Sequence, residues 1–305
     1  MRAKEDSMIE FKRRTTMLGY QLTMSEPASP SPATAEAGSP RLGWFVALSL
    51  LMVAALGIVT VNVWLAGRLA RQQRENSKQY AFWVLCQPGH TADDRVRAFL
   101  LLVAEGNKEW RSASLSDLNL EKVSLPDAQL EAAVFRRARL SGANLSGAKL
   151  AKSIFELADL ATADLSKADL PEAQLYRTAL NNAKLNRTIL RGANLQEIKA
   201  EGAQFLAADL GDSDCTMANF TGASLAGCNL SGARLEAARF TGANLSLARL
   251  QDVNLRDADF SNCNWWRARG LRTTQIEFLK KNFGPTEKAS PALRNDFEKW
   301  LKESK

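Results

Sequence analysis

The chain has little histidine and little cysteine: one histidine and four cysteines among 305 residues. The single histidine, His90, leaves little room for a histidine-rich metal site or a histidine general base. Four cysteines are too few for a small scaffold held together by disulfides. Nine prolines and 18 glycines exclude a collagen-like or linker-type chain, and 46% hydrophobic residues exclude disorder throughout.

The formal charge of +7 is unevenly distributed along the chain. Residues 112–269 carry 18 Lys/Arg against 18 Asp/Glu, so this large central block is neutral. The excess of basic residues lies beside an apolar segment and in the C-terminal tail. That placement favours a membrane flank or a solvated surface over a phosphate-binding groove, and we expect no nucleic-acid partner.

Residues 42–67 read LGWFVALSLLMVAALGIVTVNVWLAG and contain no ionisable side chain. Because about 20 apolar residues cross a hydrocarbon core of about 30 Å, this stretch predicts one transmembrane helix. A buried core helix and a cleaved signal peptide are the alternatives. The length of the apolar run and the basic residues directly after it favour a retained anchor.

Charges on either side of the span predict its orientation. Within the 20 residues before the span only Arg41 is basic, whereas four basic residues follow it: Arg68, Arg71, Arg74 and Lys78. Since Lys and Arg are retained on the cytoplasmic side, we expect the C-terminal bulk to be cytoplasmic. Residues 1–41 are predicted to be a disordered tail. We expect translation to start at Met24, which would remove the basic residues that lie further upstream.

A five-residue period runs from Leu115 to Trp265. Of its 31 positions, 22 are Leu and six are Phe, and two residues earlier in each unit 21 of 31 are Ala. This spacing fits neither a helix face nor a strand alternation. We interpret each pentad as one side of a square coil, so that residues 20 apart stack. The phenylalanines agree, since they are 20 apart in two sets: Phe135 and Phe155, and Phe220, Phe240 and Phe260.

The best repeat units are ANLSG at residues 143–147, ADLAT at 158–162, ADLSK at 163–167 and ANLSL at 243–247. They resemble the pentapeptide repeat family, whose pattern is A(D/N)LXX. The resemblance implies an all-β solenoid over residues 112–269, a right-handed quadrilateral β-helix of about 7–8 coils with Leu, Phe and Ala inside.

Helices are predicted at both ends of the solenoid, because each coil buries its apolar residues only against its neighbours. Residues 68–111 are predicted to form a juxtamembrane linker and an N-terminal capping helix that begins after Thr91 and stops at Gly106. Residues 270–305 are predicted to form a C-terminal helical cap. Its two helices run from about Thr274 to Phe283 and from Ser290 onwards, and they shield Trp265 and Trp266.

Candidate reactive residues are few. His90 follows Cys86 by four residues, but no further ligand or orienting group accompanies the pair. Cys215, Cys228 and Cys263 occupy inward slots of the repeat, where packing explains them. Fourteen of the 31 positions before the central residue are Asp or Asn, for which we expect structural roles in turns and ladders. We therefore expect no enzyme, no metal and no cofactor.

Function is expected on the outer wall of the rod. One face combines apolar, aromatic and arginine side chains on adjacent coils, a composition typical of protein interfaces. The predicted interaction patch comprises Val134, Arg136, Arg137, Ile154, Leu157, Tyr176 and Arg177. The sequence thus predicts a membrane-tethered scaffold for an unknown protein partner. The alternatives are a topoisomerase-binding DNA mimic, which the neutral solenoid disfavours, and an enzyme using His90 and Cys86.

Overall fold

A computed structural model describes residues 41–86 and 89–304 of the chain. The predicted disordered tail therefore lies outside the described residues except for Arg41. Two compact units are present, Met1–Ala66 and Gly67–Lys305. The helices are α1 (Arg41–Cys86), α2 (Ala92–Ala104), a 3-10 helix (Trp265–Arg267), α3 (Thr273–Asn282) and α4 (Pro291–Glu303).

Helix α1 is longer than predicted. Residues 68–86, predicted to belong to a juxtamembrane linker, are helical because no Gly or Pro interrupts the chain between Arg68 and Gln87. Within α1, the stretch Leu48–Leu85 contains an apolar window long enough to cross a membrane, and none of that window is buried. The apolar segment that predicts a transmembrane span is thus a helix with its described side chains exposed.

The solenoid consists of parallel β-bridges between residues 20 apart. The first bridge joins Glu109 to Gln129 and the last joins Arg249 to Arg269, with one bridge residue in each pentad except that of Asn264. About eight coils result, and the side chain of Trp110 takes the inward position of the first pentad, 3% exposed. The coil therefore begins one pentad before the first leucine of the repeat.

Most pentads pair four of their five backbone N–H groups with backbone carbonyls, and where Asp or Asn precedes the central residue, as in residues 144–148, the fifth is paired as well. Asn144 N donates to Val123 O at 2.8 Å, in the preceding coil. Leu145 N and Gly147 N donate to the following coil at 2.7 and 2.9 Å. Ala148 N donates to Leu145 O at 3.1 Å and closes a turn, and Ser146 N donates to the Asn144 side chain at 3.1 Å. Because a buried unpaired N–H is costly, this pairing makes a one-residue strand viable.

Every corner of the coil contains one residue with positive φ. This residue is the second of the two turn residues, as the third position of a type II turn requires. Of the 31 such residues, from Ser112 to Asn262, 23 are not glycine, and their φ angles lie between 53° and 62°. The corners therefore store backbone strain that the packing inside must offset.

The interior is filled by buried side chains. The central Leu and Phe side chains and the alanines two residues earlier are buried along the coil. The predicted ring stacks are confirmed: Phe135 lies 4.7 Å from Phe155 with planes 2° apart, and Phe240 lies 5.2 Å from Phe220 and 4.9 Å from Phe260. Four buried hydroxyls occupy alanine positions, and each donates to a backbone carbonyl: Ser153, Thr178, Thr188 and Ser213. No polar side chain is therefore left unpaired at these four positions.

Helix α2 covers the first coil, as predicted. Thr91 caps it by accepting from Asp94 N at 3.2 Å, and the chain leaves the helix at Gly106 with φ 79°. Phe99 is fully buried with its ring 4.4 Å from that of Trp110. Ala81 and Val84 of α1 are also buried, so the end of α1 belongs to the same core.

Helices α3 and α4 cover the last coil, again as predicted. Ser290 caps α4 by accepting from Leu293 N, and Pro291 is its first residue. The Trp265 ring packs 5.4 Å from Trp300 and donates to Phe283 O at 2.9 Å. The Trp266 indole donates to Asp296 at 2.8 Å. The 3-10 helix replaces the final pentad turn, so the two tryptophans close the interior instead of continuing the coil.

We predict that glycine substitutions have opposite effects at the two turn positions. Ala237→Gly removes the strain of a φ of 53°, and we expect it to raise the free energy of unfolding by about 0.5 kcal/mol. Ala226→Gly, at a neighbouring turn position without positive φ, serves as the control and should lower it by about 0.5–1 kcal/mol. Urea unfolding of both variants measures the difference. Equal destabilisation by both substitutions would contradict the strained corner.

Candidate functional site

The structure brings the seven predicted patch residues together at one corner of three successive coils. We call this surface the corner patch. Val134 and Ile154 are bridge residues of adjacent coils and pair directly. The other five are turn residues that follow the bridge residues of the three coils: Arg136, Arg137, Leu157, Tyr176 and Arg177. All seven therefore lie at neighbouring positions of one wall, as the 20-residue stacking requires.

The apolar centre of the corner patch is Leu157. Its side chain is 50% exposed, and its φ of 60° directs it outward from the turn. Val134 and Ile154, which are bridge residues on the same wall, are half-buried. An exposed leucine of this kind has no packing role in the coil, because the interior of that coil is already filled by Phe155 and Ala158.

The two arginines on the first coil of the patch are paired to acids on neighbouring coils. Arg137 donates two hydrogen bonds to Asp117, at 2.7 and 2.8 Å. Arg136 donates from Nε to Glu156 at 2.9 Å and forms a second contact at 2.8 Å. These two-pronged contacts fix the planes of the guanidinium groups. Each arginine is thus held in place with its edge still accessible to solvent.

Tyr176 and Arg177 share one acid, Glu197. The Tyr176 hydroxyl donates to Glu197 at 3.0 Å, and Arg177 Nε donates to the other carboxylate oxygen at 2.7 Å. The Arg177 guanidinium carbon lies 4.9 Å from the centre of the Tyr176 ring, a cation–π distance. The three side chains form one rigid unit, which lowers the entropy lost when a partner binds.

These contacts shift the pKa values of the patch. The hydrogen bonds from Arg137 lower the pKa of Asp117, and those from Arg177 lower the pKa of Glu197. Partial burial, followed by its bond to Glu197, raises the pKa of Tyr176. At neutral pH Asp117 and Glu197 are therefore charged and pair with Arg137 and Arg177.

Sequence reasoning missed Asp117, Glu156 and Glu197. The signal was available in the repeat, because each acid lies 20 or 21 residues from the group it pairs with. Outward positions that are 20 residues apart stack in the same way as the phenylalanines. This stacking predicts all three pairs.

The Asp and Asn residues before the central leucines have the structural role predicted for them. Twelve of the 14 accept a hydrogen bond from the backbone N–H two residues later, with lengths of 2.9–3.3 Å. In these twelve pentads the Asx-turn satisfies the one N–H that no backbone carbonyl reaches. These carboxylates and amides are thus part of the corners of the coil.

The three repeat cysteines are buried, as predicted. Burial raises the pKa of Cys215 and of Cys263 to about 12 and also raises that of Cys228. Because the thiolate is the reactive form, these thiols are inert in the folded protein. They are all free cysteines.

His90 lies beside a groove between α1 and α2 rather than in a catalytic constellation. Its ring meets the Trp83 ring edge-on at 5.0 Å, and the groove, of about 570 Å³, is also lined by Asp94 and Arg97. The side chain of Cys86 lies outside the described residues. Among residues 41–86 and 89–304, no group of three His, Cys, Asp or Glu side chains is placed to hold a metal ion.

We predict that acid weakens the ion pairs of the corner patch. The lowered pKa values mean that these pairs stabilise the fold above the ordinary pKa values of 3.8 for Asp117 and 4.5 for Glu197. Their contribution is lost as the pH falls through the lowered values. Carboxyl chemical shifts measured by NMR against pH should give both pKa values below the ordinary ones.

Arg177→Met is the matched variant for this titration. It should raise the pKa of Glu197 and leave that of Asp117 unchanged, because only Glu197 contacts Arg177. An unchanged Glu197 titration in the variant would show that the pair does not form in solution.

Comparison with known proteins agrees with this geometry. The family model for pentapeptide repeats matches eight copies, at residues 113–151, 153–192, 188–227 and 228–264. No curated protein shows significant similarity to the chain.

Solved structures that resemble the chain are also pentapeptide repeat proteins. HetL, involved in heterocyst differentiation regulation in the cyanobacterium Nostoc sp. strain PCC 7120, is 27% identical over 55% of this chain and 95% of its own, with a TM-score of 0.37. A protein of the Arabidopsis thaliana thylakoid lumen is 27% identical over 40% of this chain and 74% of its own, with a TM-score of 0.27. QnrB1, a plasmid-mediated fluoroquinolone resistance protein, is 19% identical over 55% and 94%, with a TM-score of 0.29.

The bridges at 20-residue intervals, the inward Leu, Phe and Ala, and the matched repeat copies lead to one conclusion. The chain belongs to the pentapeptide repeat family, whose members fold as right-handed quadrilateral β-helices.

Proposed function

We propose that this protein is a non-catalytic, membrane-tethered scaffold whose rod presents the corner patch to a protein partner. The observation that carries the proposal is the exposed Leu157 together with its neighbours, because arginine and tyrosine side chains held by ion pairs and hydrogen bonds lie around it. Interface hot spots have this composition: an aromatic residue and arginines around an apolar centre.

The burial of the reactive groups supports a role without catalysis. The repeat cysteines are inert, and the aspartates and asparagines complete the turns. The interior of the coil is filled by leucine, phenylalanine and alanine, so it offers no cavity for a substrate. The work of such a rod is therefore done by its outer walls.

The tether is supported by α1. Its apolar window is fully exposed, which for a helix in water would be unfavourable and for a helix in a bilayer is required. The basic residues after residue 67 support a cytoplasmic C-terminal side under the positive-inside rule. The partner would then be a cytoplasmic protein or the cytoplasmic part of another membrane protein.

Charge disfavours the DNA-mimic alternative. A surface that imitates a duplex needs a dense array of unpaired negative groups. Residues 112–269 carry 18 basic and 18 acidic side chains, and ion pairs such as Arg191–Asp212 and Arg256–Glu236 join neighbouring coils. The outer wall of this rod is thus neutral and internally paired.

We predict that disrupting the corner patch abolishes partner capture. Native membranes carrying the full chain are crosslinked, and captured proteins are compared between the wild type and the Arg137→Glu/Tyr176→Ala variant. Loss of two hot-spot residues should reduce recovery of the partner by about 30-fold or more.

The control is Arg187→Glu/Asn186→Ala, which changes two turn residues that lie ten positions after Arg177 and Tyr176, at the opposite corner. It should retain the partner. If the patch variant and the control capture the same proteins as the wild type, the corner patch is not the binding surface.

Membrane topology gives a separate prediction. A reporter enzyme that is active only in the cytoplasm, fused after Lys305, should be active, because Arg68, Arg71, Arg74 and Lys78 hold the C-terminal side there. A matched fusion with these four residues changed to glutamine should lose part of that activity. Activity only with a reporter specific for the opposite compartment would overturn the orientation and the choice of partner.

A further inference from the structure

We propose that α1 is a dimerisation helix, which pairs in parallel with α1 of a second copy of this chain through one face. The α1 face consists of Leu69, Gln73, Asn76, Tyr80 and Trp83. The inference rests on the proposed membrane tether, because the tether is what places two copies side by side with the same orientation.

All five residues of the α1 face are exposed. Leu69 is 64% exposed, Tyr80 65% and Trp83 50%, and the Tyr80 and Trp83 rings stack at 5.9 Å. Asn76 and Tyr80 border the groove between α1 and α2, and the Trp83 ring meets that of His90, but these side chains stay exposed, whereas Ala81 and Val84 are buried. An apolar and aromatic surface is therefore left open beside the cap of the solenoid.

The spacing of the face is that of a two-stranded coiled coil. Its residues are separated by four, three, four and three positions, which is a mean of about 3.5 and defines the a and d positions of a heptad. Gln73 and Tyr80 are a residues, and Leu69, Asn76 and Trp83 are d residues. This is the pattern that a pair of left-handed supercoiled helices requires.

The charged residues of the same segment avoid the face. The e and g positions beside it hold small or amide side chains: Ala70, Gln72, Ser77 and Gln79. All five charged residues between positions 67 and 84 fall at the outer positions b, c and f: Arg68, Arg71, Arg74, Glu75 and Lys78. An exposed helix with no partner has no need to keep one side free of charge, whereas two parallel copies with arginines at e and g would repel each other.

The amides explain why the occupant is a second copy. Asn76 and Gln73 each carry a donor and an acceptor, so the same residue on a symmetry-related helix satisfies both groups. A polar residue at such a position also specifies two strands in register. Two chains anchored in the same membrane meet with these residues at equal height, which the parallel pairing needs.

The apolar segment contains an independent indication. Asn62 precedes Leu69 by seven residues along the sequence and therefore has the same heptad position. Its amide is exposed, and it forms no hydrogen bond within the described part of the chain, whereas the Thr60 hydroxyl donates to Gly57 O at 2.8 Å. In hydrocarbon, an amide is satisfied by the same residue of a neighbouring helix.

Cysteine crosslinking in vesicles tests the inference with the full chain. The purified protein, with Cys86→Ser as background, is reconstituted at a high lipid-to-protein ratio and oxidised, and disulfide-linked dimers are separated without reductant. Gln73→Cys and Asn76→Cys report on the α1 face, and Arg71→Cys and Arg74→Cys are controls on the outer side. Cys215, Cys228 and Cys263 are buried and do not contribute.

We expect dimers to form at least about tenfold faster at the two face positions than at the two outer positions, because only facing residues come within disulfide reach. Adding Asn76→Asp to Gln73→Cys should slow dimer formation several-fold by placing like charges together, whereas Arg74→Asp should not. Equal rates at all four positions, or no dimer at any, would overturn the inference.

Alkaline extraction of the same vesicles separates this result from the tether itself. If the chain stays in the membrane and no face-specific dimer forms, the dimer is wrong and the tether stands. If the chain is released by alkali, the tether fails, and the inference fails with it.

Discussion

The structure depends on stacking identical pentads at an interval of 20 residues. Each pentad forms a single bridge on either side, so no strand is long enough to be stable alone. What makes it stable is that backbone carbonyls pair four of the five N–H groups of a typical pentad, while Leu or Phe and Ala fill the interior. The positive φ at every corner is a cost of this arrangement, and the buried side chains offset it.

The same constraint determines where function can lie. Inward positions are taken by packing, and in twelve pentads the Asp or Asn before the centre completes a turn. The two turn residues and the remaining bridge residues are left free to vary. The corner patch uses these positions: Leu157 and Arg177 are turn residues, and Ile154 is a bridge residue. Ion pairs along the 20-residue columns hold the arginines rigid, so the rod presents a fixed surface rather than flexible side chains.

Much of this fold could be predicted from the sequence, because the pentad is a local and repeated signal. The register, the inward residues, the phenylalanine stacks and the capping helices all follow from spacing and capping residues. Other features depend on partners far away in sequence and could not be read locally. The acids that hold Arg137 and Arg177 lie 20 residues away, and the entry of Trp110 into the first pentad depends on contact with Phe99. Helix α1 extends to Cys86 because no Gly or Pro stops it before Pro88. Hydropathy does not predict this extension, because the residues that follow position 67 are mostly polar.

The central claim is that the coil is closed and leaves only its outer walls available, and thiol labelling of the folded protein tests it directly. In the full chain with Cys86→Ser, Cys215, Cys228 and Cys263 should stay unlabelled until denaturant is added, while Leu157→Cys should react at the rate of a free thiol. Labelling of the three buried cysteines under native conditions, at a rate near that of Leu157→Cys, would contradict the account.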